Sequence, residues 1–562
     1  MVRRAVATAL VTLAGFCAFS SLQSKGTASQ ESSRTVYYLH GRIYTNDPQH
    51  PWAEAIAVRD GKLLCVGTPL ECGVNAADAD TVELQGHFVM PGFNDAHVHL
   101  GSGGEDLLAV RLNGADSVAE LQKRVATAAA SRKPGEWITG NGWDHTLWPD
   151  KKFPDRQLLD QVSPQNPVFL LHVSGHVAVA NSLALQLAGV AKGTPNPSGG
   201  EIERDGTGEP TGMLKEGSAM ALVRSKIPPL TPERRRQGIE LALVDVARNG
   251  VTSIQDNSSW EDFQAYQAIK KDGKLTVRIT EWLPFLAPID DLERMRREGG
   301  TTDPWLKTGA LKGFTDGALG SRTAALLAPY SDDPSTSGIL ITEPEKLRVM
   351  AIERDKHGFQ INFHAIGDRA NRVALDVFEA VATANGPRDR RDRVEHAQVV
   401  APGDFARFAK LYVIASMQPS HQTTDMRWAE SRLGPERVKG AYAWATMQKN
   451  GVRLAFGTDY DVEPISPFRG LYACVTRQLP DGTPHGGWQP QEKISLEDCV
   501  RAYTSGSAYA EYEERKKGEL KTGEYADFIV LSSDLTKVPP SEYLKTQVLR
   551  TVVGGRVVYQ AR

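Results

Sequence analysis

The chain has 562 residues, 41% of them apolar and 24% charged, with 65 Lys plus Arg against 68 Asp plus Glu. At ~150 residues per domain this predicts two to four domains and ample material for a large core. A net charge of -3 excludes a protein built around a basic nucleic-acid-binding stripe. The apolar content excludes a disordered chain, and the negative mean hydropathy excludes a polytopic membrane protein.

The chain opens with Arg3 and Arg4 before the apolar run AVATALVTLAGFCAFSSL. A short basic head and a modest apolar stretch predict an export signal over residues 1–28, with cleavage near Ala28, and hence a periplasmic or secreted protein. The run is too short and too rich in Ala, Ser and Thr for a retained span. The Arg pair and the LAGFC segment are poor matches to twin-arginine and lipoprotein signals. Of five cysteines (17, 65, 72, 474, 499), one lies in this signal. Cys65 and Cys72 are close enough to pair, and no zinc-ribbon spacing occurs. None is expected to carry chemistry.

Short β-branched runs punctuated by Gly fill residues 35–90, and the pattern returns at 526–560 (ADFIVLSSD, VLRTVVGGRVVYQ). Strand-and-turn sequence at both ends predicts one composite β-sandwich domain, assembled from 35–90 and 511–562. Between them, over 91–510, apolar strand-like runs alternate with amphipathic helical stretches. That alternation predicts a parallel α/β fold, read as a (β/α)8 TIM barrel in preference to a doubly wound sheet. Residues 100–245 are too many for one βα unit and predict an insertion. The charge runs ERRRQ (233–237) and EYEERKKGE (511–519) read as solvated helix faces. The Gly-rich GGEIERDGTGEPTG (199–212) lacks a phosphate-loop Lys and reads as a β-turn excursion. Seven tryptophans (137, 143, 148, 260, 282, 305, 488) fall in predicted loops, where packing is the favoured role and lining a pocket the alternative.

Chemistry-bearing residues gather at one kind of place. His97 and His99 close the first strand of the middle region (FNDAHVHL). His364, His396 and Asp459 end the later runs QINFHAIGD, DRVEHAQVV and RLAFGTD. C-terminal strand ends of a barrel converge on one mouth, and residues two apart on a strand share a face. Neutral imidazoles with a carboxylate suit zinc or a similar divalent ion.

These segments carry a family resemblance. MPGFNDAHVHL, HAIGD, EHAQ and GTDYDVEP resemble the amidohydrolase superfamily. GNGWD (140–144), SGHVAVANSLAL (174–185), LKGFTDGALGSRTAAL (311–326) and MQPSH (417–421) narrow the likeness to amidohydrolase family 3, which includes N-substituted formamide deformylase. The resemblance covers about residues 35–562. It implies a barrel beside a composite β domain, with one or two metal ions, zinc first among them. His97, His99 and Asp459 would hold the more buried ion, and His364 and His396 the second. Lys312, in LKGFTDG, would bridge two ions as a carbamate, since a free ammonium is no ligand; an ion-pairing lysine beside a single ion is the alternative. The implied reaction is hydrolysis of an N-acyl or N-formyl C–N bond of a small molecule by a metal-activated hydroxide, with Asp459 as general base and then acid. Ester, carbamate or deamination chemistry at the same site is a second reading, and a non-catalytic binding barrel a third. His176, Asp144, Asp316, Arg322 and His421 are the expected substrate-facing residues. Ser174, where relatives often carry Asp, and Asp461, where Pro is common, depart from the family pattern. No nucleic-acid partner is expected, and no membrane span once the signal is removed. Assembly is left open between monomer and homodimer.

Overall fold

The computed structural model describes residues 34–74 and 80–562; residues 1–28, where an export signal is expected, lie outside the described residues. The middle of the chain forms eight parallel strands in chain order: β1 (Phe93–Val98), β2 (Val251–Asp256), β3 (Arg278–Pro284), β4 (Leu306–Phe314), β5 (Ile361–Ala365), β6 (Arg393–His396), β7 (Ile414–Met417) and β8 (Leu454–Phe456). Each pairs with the next. β1, β2, β6, β7 and β8 are buried along their whole length, as expected for strands covered on both faces. The barrel closes just beyond the end of β8. The Asp459 N–H donates to the His97 carbonyl at 2.8 Å, and the His99 N–H donates to Tyr460. The closing seam therefore joins the two segments that carry the HxH pair and Asp459.

The two chain ends meet in one eight-stranded arrangement. Phe88–Pro91 runs antiparallel to Phe528–Leu531, which joins the N-terminal strands from Val36 onward to Val548–Val553 and Arg556–Gln560. Tyr38, Ile43, Ile56, Val89, Phe528 and Val552 share its core. Cys65 and Cys72 form a disulfide within it.

The first barrel crossover, between β1 and β2, carries a separate six-stranded sheet that includes Ile138–Trp143 and Val168–His172 as parallel neighbours. Within it, Glu201–Arg204 and Pro210–Lys215 form the hairpin expected from the Gly-rich stretch. Two sequence expectations change. Trp143 and Trp282 lie on strands and are fully buried. The run 511–519 is no solvated helix face: Glu511, Glu513 and Lys517 are buried beneath the barrel. There Glu511 accepts from Asn94 Nδ2 at 2.8 Å and Thr280 Oγ1 at 2.5 Å, and pairs with Lys517 at 2.7 Å. Lys307 of β4 pairs with Glu513 at 2.5 Å.

Candidate metal centre

Side chains from β1, β4, β6, the first turn of the helix Pro419–Arg437 after β7 and the turn after β8 converge at the barrel mouth. His97 is fully buried; its Nε2 stands 3.5 Å from Asp459 Oδ1, and His99 Nε2 stands 3.0 Å from the same oxygen. Lys312 Nζ lies 3.1 Å from His97 Nε2. The His396 ring stacks near-parallel to that of His421 at 6.0 Å, and His421 Nε2 is 3.6 Å from Asp459 Oδ2. Two groups of mutually close ligand atoms result, His97–His99–Asp459 and His396–His421–Asp459, sharing the carboxylate.

The imidazoles are aimed by what holds their other nitrogens, as metal-binding histidines are. His99 Nδ1 is 2.9 Å from the Asn257 carbonyl and His396 Nδ1 is 2.7 Å from Gln418 Oε1. His97 Nδ1 stands 2.9 Å from Glu395 Oε2, and the other oxygen of Glu395 pairs with Arg393 Nε at 2.8 Å. Arg393 is anchored in turn by Ala96 O and Ser416 Oγ, both at 2.8 Å. Trp282 floors the centre, with its ring 5.0 Å from His97 and the Lys312 Nζ 5.3 Å above it. Asp95 pins the seam: its carboxylate accepts from the Thr458 N–H at 2.9 Å and the Thr458 hydroxyl at 2.7 Å.

Electrostatics favour neutral imidazoles at His97, His364 and His396, while at His99 burial is outweighed by the hydrogen bond and charge of Asp459, which raise it. Burial, with the Lys312 ammonium, lowers His97 to about 4 and His364 to about 3. Burial and His364 hold His396 well below its ordinary value. Burial also lowers Lys312 to about 8. At Asp459 burial opposes ionisation, but His97, His99, His396 and His421 outweigh it and hold the carboxyl well below the usual range. Glu395 is likewise held at about 2, burial being outweighed by Arg393 and then His97. His396 and Asp459 both adopt left-handed backbone, φ 74° and 58°, which non-glycine residues take at a cost of about 1–3 kcal/mol and mostly at functional sites.

Whether this set suits a divalent ion is decided by its donors. Four imidazoles and one carboxylate present ligand atoms in two groups, each within a 4.8 Å span. Imidazole with carboxylate is a donor set that zinc and similar ions take, so the residues fit a cation.

The sequence-expected residues divide. His97, His99, Lys312, His396, His421 and Asp459 come together. His364 touches His396 (rings 4.6 Å apart), but its Nε2 faces the Gly317 carbonyl at 3.1 Å and it joins neither close group; His421 stands there instead. Asp316 lies behind His364, with Oδ1 3.6 Å from His364 Nε2. Its two oxygens accept the N–H groups of Ile366, Gly367 and Ala325 at 2.8–3.0 Å, tying loops together. Arg322 is bound to Asp332 by two 3.1 Å hydrogen bonds. His176, exposed on the insertion, pairs with Glu216 at 3.1 Å. Asp144 is also on the insertion, where its carboxylate accepts from the Thr146 N–H and hydroxyl. Sequence reading missed Glu395 and Asp95.

A parallel eight-stranded barrel with histidines and aspartate at its strand ends defines the metal-dependent hydrolase class. The amidohydrolase family matches residues 80–559, and the chain belongs to that family. It is 37% identical to the protein LONG AFTER FAR-RED 3 of Arabidopsis thaliana, over 92% of this chain and 91% of the plant protein. It is 28% identical to the N-substituted formamide deformylase of Arthrobacter pascens, over 94% and 98% respectively. Among solved structures, a metal-dependent hydrolase from Pyrococcus horikoshii superposes with a TM-score of 0.74 at 30% identity, covering 90% of this chain and 99% of that one. Among the described residues, no helix is long and apolar enough to cross a membrane.

Proposed function

We propose that this chain hydrolyses the C–N bond of a small N-acyl or N-formyl amide, with Asp459 moving the proton. The observation that carries the reading is the buried Asp459 carboxylate, shared by two histidine groups, with Oδ1 3.0 Å from His99 Nε2 and Oδ2 3.6 Å from His421 Nε2. Likeness to the formamide deformylase of Arthrobacter pascens supports the amide class.

His97, His99 and Asp459 would hold one ion, and His396 with His421 a second, zinc being the first choice for such a donor set. A bound divalent ion supplies Lewis acidity, polarising a carbonyl and making water acidic. Asp459, ionised at neutral pH, accepts a proton from the attacking water and returns it to the departing nitrogen. Lys312, which burial lowers to about 8, presents a partly neutral amine able to take up CO2. Its carbamate, formed with release of one proton, would offer an anionic oxygen ligand where an ammonium offers none. The Glu395–Arg393 pair fixes the His97 ring so that Nε2 faces the centre.

Release of formate or another carboxylate from a panel of N-acyl amines tests the reading. Turnover of esters or amidine-type C–N bonds, with none of the acyl amines, overturns it. We also propose that the protein is exported; the Cys65–Cys72 disulfide supports an oxidising compartment, and fractionation of the producing cells tests it.

A further inference from the structure

A second cluster of metal-ligating groups lies away from the barrel mouth, on the inserted sheet. Asp144 follows the strand Ile138–Trp143, and His172 ends its parallel neighbour Val168–His172. His145, next in the chain after Asp144, brings its Nδ1 to 3.3 Å from His172 Nε2, and Asp144 Oδ1 lies 3.9 Å from the same nitrogen. One ligand atom from each residue fits within a 4.8 Å span.

As a hydrogen-bonded triad this arrangement is poor. The 3.3 Å contact between the two imidazoles is a long hydrogen bond, and the carboxylate at 3.9 Å does not reach His172 at all. As a coordination shell it is close to right. Zinc–nitrogen bonds of about 2.0–2.1 Å arranged tetrahedrally have ligand–ligand edges of about 3.3 Å. The rings are also held in place. Trp143 lies edge-on to His172 with ring centroids 4.5 Å apart, and Phe153 covers His145 at 4.2 Å. Ser174 Oγ stands 2.9 Å from His172 Nδ1, and the Ser174 N–H donates to the same nitrogen at 3.1 Å, which fixes the ring with Nε2 toward His145. Ser174 is one of the positions where this chain departs from the family pattern.

We infer that Asp144, His145 and His172 form a separate site for a borderline divalent cation such as Zn2+, with two imidazoles, one carboxylate and a remaining position for water. The site ties the ends of two inserted strands together. Its wall is joined to the barrel mouth, because Asn141 on the same strand donates to Asp106 at 2.5 Å, on the helix Leu100–Leu108 that follows His99. The inference is independent of the reaction proposed above.

The test is metal stoichiometry on the full chain, stripped with a chelator, reloaded with Zn2+ and desalted. The wild type should retain one equivalent more than His172→Gln and one more than His145→Asn. A His97→Ala/His99→Ala protein should keep that equivalent, whatever the mouth loses. Thermal unfolding with and without Zn2+ provides a second readout: in the His97→Ala/His99→Ala background, added Zn2+ should raise the midpoint, and adding His145→Asn should abolish the shift. Equal stoichiometry in the wild type and both single variants, with no Zn2+-dependent shift lost, overturns the site. If His172→Gln fails to fold, the partly exposed His145→Asn decides alone.

Discussion

Two buried clusters of charge sit at opposite ends of the same barrel. At the floor, Glu511, Lys517, Lys307 and Glu513 neutralise one another, with Asn94 and Thr280 completing Glu511. At the mouth, His97, His99, Lys312, His396 and His421 crowd around the single carboxylate of Asp459, which two histidine groups share. Both are largely out of water, although His99 keeps a quarter of its side chain exposed. Donor type separates them: the floor is closed, cation against anion, and holds strands together, whereas the mouth is open, setting imidazoles and one carboxylate where a cation can be received.

The strongest way to break this contrast is to remove the proton carrier. Asp459→Asn should lower kcat by about 10²–10⁴-fold, the scale of general acid–base catalysis, while the protein stays folded and binds metal through the histidines. Activity within a few-fold of wild type would remove Asp459 from the reaction and leave the mouth without a proton acceptor.

The floor should answer oppositely. Glu511→Gln leaves Lys517 buried without its partner, and breaking a buried pair in this way costs about 3–5 kcal/mol of stability. Specific activity of the folded fraction should be unchanged. The pH dependence has a definite sign. Glu511 is held at about 2 against an ordinary 4.5: burial raises it, and Lys517 and Lys307 lower it further. Its contribution is complete above pH 4.5 and is lost as pH falls toward 2. At 1.36 kcal/mol per unit this is about 3 kcal/mol. Acid unfolding of the wild type should therefore be steeper over that window than that of Glu511→Gln. Parallel curves would mean that the floor is not held by this pair.

These two clusters were unequally legible in the sequence. The mouth announces itself because strand ends place His97, His99, His396 and Asp459 in short local motifs, and a period of two puts the HxH pair on one side. The barrel and the joining of the chain ends followed from alternating strand and helix patterns. The floor stayed hidden because EYEERKKGE has the composition of a surface helix; only long-range pairing with Lys307, Asn94 and Thr280 buries it. Glu395 was hidden differently. Adjacent residues on a strand face opposite ways, so Glu395 and His396 should not both serve one centre. The left-handed backbone at His396 (φ 74°) lifts that restriction, and no periodicity reports it. Asp316 was legible from its motif as a residue near the mouth, but not that three backbone N–H groups claim its oxygens beside His364.

Glu395 joins the two kinds of cluster, since it is closed toward Arg393 and open, through His97, toward the mouth. Glu395→Gln keeps the shape but weakens the orientation of His97. Loss of such a partner lowers metal affinity by about 10–100-fold. Competition against a chromogenic chelator measures this directly. An unchanged affinity would reassign Glu395 to the closed, structural kind.

The smallest effect is expected where family likeness alone suggested a role. Arg322 is committed to Asp332 through two 3.1 Å hydrogen bonds and its side chain is 35% exposed. An ion pair of that kind is worth about 0–1 kcal/mol. Arg322→Ala should therefore shift stability by no more than about 1 kcal/mol and leave KM for an accepted amide within a factor of two or so of wild type. A large rise in KM with unchanged kcat would show that Arg322 leaves Asp332 when substrate binds. The contrast between closed and open clusters would then need a third kind, closed at rest and opened by the ligand.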